Sequence, residues 1–202
     1  GKLKEGNIIR CNIVKDMVGC HTTPEGKFLV PHFSWGIYLD DYSSNTTVYG
    51  NIVVGNVLGG VHIHGGKNNL IENNILINSR DTQLQYTNIN DYMSGNKFVR
   101  NIVYYANPKA DLIHIYGWTK QALIESDYNV FFHKESKNLI IKGIPGINSF
   151  SNWQKIGFDT HSIIADPLFT DIANDDYSLK PDSPALKLGF KPIPISKIGL
   201  KE

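Results

Sequence analysis

Four segments repeat one pattern, and no other feature of the sequence restricts the fold as strongly. GNIIRCNIV (6–14), NTTVYGNIV (45–53), NNLIENNIL (68–76) and GNKFVRNIV (95–103) each begin with Gly or Asn, carry an apolar residue fourth, and end in Asn and two apolar residues. A looser fifth copy ends in Asn129-Val130-Phe131. The copies start 39, 23 and 27 residues apart, and Asn101 to Asn129 adds 28, so the unit is 23 to 28 residues with an insertion before Asn45. A period of this size marks an array of stacked units. No unit buries its apolar side alone. Stacking places Ile over Ile in an interior column while strands pair about 4.8 Å apart. The recurring Asn suits a bend in the left-handed region, where its side chain reaches the copies above and below.

Composition agrees with the repeat. The chain has 25 Ile and 20 Asn against 6 Ala and 6 Glu, so strand and turn formers displace the best helix formers and a helical bundle is excluded. A net charge of +1 excludes a bulk basic field for capturing nucleic acid. No stretch reaches the roughly 18–20 apolar residues of a membrane span. Cys11 and Cys20 lack the partner pair of a zinc site and leave a disulfide open. The first residues read as the middle of a repeat, so the expectation is a fragment or processed product, with another chain or further coils at an open edge.

The organisation expected is all-β: about five coils over residues 1–133, with a loop insertion at 15–35, then an irregular Pro-rich cap at 134–202. Six prolines from Pro145 to Pro194 bar long strands and helices there, and such a segment covers the open edge of the last coil.

GIYLDDYSSNTTVYGNIVVGN, followed by GVHIHGGKNNLIENNILINS, resembles the right-handed parallel β-helix proteins of the pectin-lyase-like superfamily. The tail DTHSIIADPLFTDIANDDYSLKPDSPALKLGF is similar to the C-terminal end of secreted bacterial members that act on polysaccharides. The resemblance implies a single-stranded parallel β-helix, a polysaccharide or oligosaccharide partner, and a secreted or periplasmic location. It leaves the chemistry open among lyases, hydrolases, epimerases, esterases and adhesins.

Alternation along one strand per coil predicts a polar stripe. In GIYLDD, Ile37 and Leu39 face in and Tyr38 and Asp40 out; in GVHIHG, His62 and His64 face out. TQLQY is expected to add Gln83 and Gln85, and DLIHIYG to add His114 and Tyr116. The columns expected are Tyr38, His62, Gln83, His114 and Asp40, His64, Gln85, Tyr116. His, Tyr, Gln and Asp in place of Lys and Glu point to proton transfer and sugar-hydroxyl binding. Trp35, Tyr86 and Trp118 flank the stripe as stacking surfaces, and Arg80 and Asp81 lie near it. His21 and His32, in the insertion, are secondary candidates.

Asp40-Asp41 is the sharpest local feature: the strand must end there, since regular alternation would bury Asp41. Paired carboxylates split their pKa values or hold a divalent cation. The first reading is a glycoside hydrolase with Asp40, Asp41, His62 and His64 as catalytic residues; Tyr38, Arg80, Gln83, Gln85, Tyr86, His114, Tyr116 and Trp118 bind substrate, with no metal required. The second is a polysaccharide lyase, with Tyr38, His62, Lys67 or Arg80 as base and Arg80 or calcium on Asp40 and Asp41 as neutraliser. A stripe poor in Lys and Arg ranks it lower. The third is a glycan-binding or structural module without turnover.

Overall fold

The computed structural model describes residues 6–199. It is mostly β, with two short helices and three single 3-10 turns. The strands form three parallel sheets that the chain visits in rotation, coil after coil. The first sheet stacks Ile8–Arg10, Thr47–Tyr49, Leu70–Glu72, Asn96–Val99 and Leu123–Asp127. The second stacks Ile13–Lys15, Ile52–Val54, Ile75–Ile77, Ile102–Tyr105, Val130–His133 and Ile163–Ile164. The third stacks Trp35–Leu39, Gly59–His64, Thr82–Thr87, Asp111–Tyr116 and Ile140–Ile144, closed by an antiparallel strand, Ile147–Ser149. Two sheets therefore continue past residue 133. Residues 15–35 hold a small hairpin, His21–Thr22 against Phe28–Leu29, that leads into the third sheet.

The repeat motif spans the corner between the first and second sheets. Its Asn forms a buried ladder: Asn51, Asn74 and Asn101 each donate their backbone N–H to the side-chain oxygen of the next Asn, at 2.7–2.9 Å, ending on Asn129. Their amide groups donate back to carbonyls of the coil before, such as Asn74 Nδ2 to Val48 O at 2.9 Å. One expectation is corrected. The left-handed residue is the one preceding each rung, namely Cys11, Gly50, Asn73, Arg100 and Tyr128, and the ladder residues Asn51, Asn74, Asn101 and Asn129 are free to be buried acceptors.

The interior columns also differ from the expected Ile over Ile. In the second sheet Val53, Leu76, Val103 and Phe131 face the core of the coils. Ile52, Ile75, Ile77, Ile102 and Val130 face the other way and join a second cluster with Phe169, Tyr177, Ala185 and Phe190 of the tail. The tail thus lies back along the second sheet rather than only over the last coil. It reaches as far as the first coils, where Lys15 pairs with Asp175 and Asn73 exchanges two hydrogen bonds with the Lys191 backbone, at 2.6 and 2.8 Å. The end of the coils is closed by the helix Phe150–Lys155, whose Trp153 is fully buried against Phe158.

Candidate functional site

The outer face of the third sheet carries a cavity of about 870 Å³. Strand pairing sets its floor. Tyr38, His62, Gln85, His114 and Lys142 form one continuous row across five strands, and His64, Thr87 and Tyr116 the next. Tyr38 and His62 stack face to face, with ring centroids 4.7 Å apart and planes at 3°. Trp35 closes on both rings at 4.9 and 4.6 Å. An ideal Cβ on Gly59 would stand 2.7 Å from the Trp35 ring, so this aromatic cluster needs glycine there.

The expected columns hold for the first two strands and shift by two residues in the third. Gln85, not Gln83, neighbours His62. Gln83 is fully buried, and its amide group bonds the backbone of Ser79. The cause is a break in alternation as the strand enters the sheet: Gln83 and Leu84 are both buried, as are Leu112 and Ile113, so strict alternation misplaces every residue before the break. Tyr86 is likewise an inward, fully buried core residue, and Trp118 packs against Trp153 and Phe158 away from the cavity. His21 and His32 stack on each other, with centroids 4.9 Å apart, outside the cavity wall. Cys11 and Cys20 are both free thiols.

Beside His64, and outside the residues that line the cavity, the chain leaves its strand at Leu39 and turns, with Asp41 and Tyr42 at positive φ and the Asp41 N–H donating to Asp40 Oδ1 at 2.9 Å. The turn presents both carboxylates to His64, whose Nδ1 lies 3.0 Å from Asp40 Oδ1 and 3.3 Å from Asp41 Oδ1. These donor atoms lie within 4.8 Å of one another, a set able to hold a cation. The neighbouring Tyr38 hydroxyl holds the Asp40 carboxyl below its ordinary pKa, helped by the Asp41 N–H and His64. Burial pushes the Tyr38 hydroxyl up, and the Asp40 carboxylate beside it pushes the same way. Burial drives His62 down to about 3, with the His64 charge adding to the effect. His62 is therefore a neutral imidazole, sharing a 2.9 Å hydrogen bond with Thr87 Oγ1.

The cavity also holds residues that sequence reasoning missed. Asp111, Lys142, Lys109 and Asn107 line the cavity beside His114. Arg80 is there too, paired with Asp81 at 2.9 Å. Lys142 was hidden because the repeat fades after residue 133, and Asp111 because it precedes the break in alternation. Its one visible signal was a carboxylate heading a strand whose next two residues are apolar.

The molecule is thus an all-β protein of parallel sheets with an ionisable, aromatic-floored groove on one of them. The uncharacterized protein YwoF of Bacillus subtilis (strain 168) is similar to it, 32% identical over 151 residues that cover 71% of this chain and 26% of that protein. The chain spans about a quarter of the length of this curated relative. No protein-family model matches the chain, and no solved structure matches it significantly. Among the described residues, no helix is long and apolar enough to cross a membrane.

Proposed function

We propose that this chain is a right-handed parallel β-helix of the pectin-lyase-like kind, acting outside the cytoplasm on a polysaccharide or oligosaccharide as a glycoside hydrolase. The observation that carries the reading is the pair Asp40 and Asp41, which converge on His64, a residue that lines the groove floored by the Tyr38–His62 stack. Flat aromatic surfaces beside hydroxyl-binding groups suit sugar rings. The two carboxylates share one imidazole, with His64 Nδ1 at 3.0 Å from Asp40 and 3.3 Å from Asp41, and glycoside cleavage works through such a pair of carboxyl groups. Asp40, kept ionised by the Tyr38 hydroxyl beside it, suits the nucleophile or base, and His64 orients both carboxylates.

A lyase is the second reading, and Arg80, Lys109 and Lys142 on the cavity wall favour it. Two of these cations are already compensated, Arg80 by Asp81 and Lys142 by Asp111, which leaves little field for a polyuronate. For a calcium-assisted lyase, Asp40 and Asp41 supply only two carboxylates of the about 6–8 oxygens that calcium takes. Both points keep hydrolysis first.

Incubation with a panel of neutral and acidic polysaccharides separates the readings. New reducing ends without an ultraviolet-absorbing unsaturated product are expected; both together would indicate a lyase, and neither would leave a glycan-binding module. Asp40→Asn is expected to lower hydrolysis at least a hundredfold, and full retained activity would remove Asp40 from the reaction.

A further inference from the structure

Away from Asp40, a buried carboxylate underlies an imidazole and an ammonium group. Asp111 is 3% exposed. Its Oδ2 lies 3.2 Å from His114 Nδ1 and its Oδ1 2.9 Å from Lys142 Nζ. His114 and Lys142 are neighbours across the strand pair, and His114 stacks on Tyr116 with centroids 4.3 Å apart and planes at 14°. Stacking orients the ring, and the carboxylate beside Nδ1 favours the tautomer with its proton there, which leaves the lone pair on Nε2. A buried carboxylate is costly unless paired, and both partners of Asp111 belong to the cavity wall rather than to the core.

We infer that His114, positioned by Asp111, activates water against an acyl ester carried by a saccharide in the groove, with the Lys142 ammonium stabilising the oxyanion. The inference rests on the reading of the groove as a saccharide site but assigns it a separate reaction at separate residues. His114 Nε2 takes a proton from water as the water oxygen bonds to the carbonyl carbon, and the carbonyl π pair moves onto its oxygen. That pair then returns, the bond to the sugar oxygen breaks, and the imidazolium gives its proton to that oxygen. The carboxylic acid and the alcohol depart, and His114 is restored. An ester fits because one imidazole both takes and returns the proton. Cleaving a glycoside needs two carboxyl groups flanking the bond, and Asp111 is a single carboxylate, buried beneath the cavity wall.

The charged and titratable groups around His114 are Asp111 and Tyr116 on its own strand, Lys142 on the neighbouring strand and, beyond Gln85 on the other side, His62. Arg80, Asp81 and Lys109 line the same cavity. Burial lowers the His114 pKa, Asp111 raises it and Lys142 lowers it.

The test is hydrolysis of p-nitrophenyl acetate, and acetate release from acetylated xylo-oligosaccharides, by the full chain and by His114→Gln, Asp111→Asn and Lys142→Met across pH, with circular dichroism to confirm folding. We expect His114→Gln to lose at least tenfold in rate. Activity should rise with pH through a midpoint below the usual histidine value of about 6.5. That midpoint should move lower in Asp111→Asn and higher in Lys142→Met. Lys142 is half exposed, so its variant keeps the test open if the buried changes disturb folding. A folded His114→Gln with the original rate, or a midpoint that Lys142→Met leaves in place, overturns the proposal. Ester cleavage without reducing ends sinks only the glycoside hydrolase; reducing ends without ester cleavage sink only this centre.

Discussion

His62 makes stability depend on pH. Between its folded pKa of about 3 and the ordinary value near 6.5, the unfolded chain binds a proton that the folded chain refuses. Stability conferred by the neutral ring is therefore full above about pH 6.5 and is lost as pH falls toward 3, at up to ~1.4 kcal/mol per pH unit. Urea denaturation at a series of pH values should show this slope, and His62→Gln should flatten it. An unchanged slope would mean that other groups set the acid limit. Asp159 is a second residue whose role is legible only in three dimensions. Fully buried, it accepts from Ser126 Oγ and Ser162 Oγ at 2.6 Å, Trp153 Nε1 at 2.7 Å and Asn129 Nδ2 at 2.8 Å. Asp159→Ala strands four buried donors and is expected to cost ~3 kcal/mol or more, read as a lower urea midpoint. In sequence it looked like one more polar residue in an irregular tail.

At the scale of elements, the ladder sets the order of sensitivity. Asn74 takes the backbone and side-chain N–H groups of Asn51 and gives its own to Val48 and Glu72 carbonyls, all buried or nearly so. Asn74→Ala should cost ~3 kcal/mol by thermal or urea unfolding, whereas Asn12→Ala, at the exposed end of the ladder, should cost less than ~1. Equal effects would refute the account. The recurring Asn and the unit length were readable because stacking demands the same bend at the same place in each coil. Strand by strand, Tyr38, His62, Asp40 and His64 were placed correctly, since their two strands alternate regularly from Ile37 and Val61 onward. Gln83 was misplaced because two consecutive inward residues at a strand entry shift the phase, and no residue type announces such a break; Tyr86 follows Leu84 inward, and Trp118, past the end of its strand, is claimed by Trp153 and Phe158.

For the whole molecule, the tail is the decisive element. The second sheet is apolar on both faces, IVV, ILI and IVY in successive coils, which is the pattern of a sheet covered on each side. Phe169, Tyr177 and Phe190 supply the outer cover. Truncation after Ala165 should expose Ile52, Ile75 and Ile102 and yield a protein that binds a hydrophobic dye and aggregates. A soluble, dye-silent product would show that the outer face does not need its cover.

The sequence by itself determined that the chain would stack repeating β units and that a stripe of His, Tyr and Asp would share one face, because period and alternation are local properties that repetition amplifies. Only the tertiary structure decided which residues join the groove and what they can do. Asp111 meets His114 and Lys142 through strand pairing, and the tail reaches the first coils through burial of a face whose partner lies more than a hundred residues away. Such contacts are chosen by packing among distant segments, and neither periodicity nor composition records them.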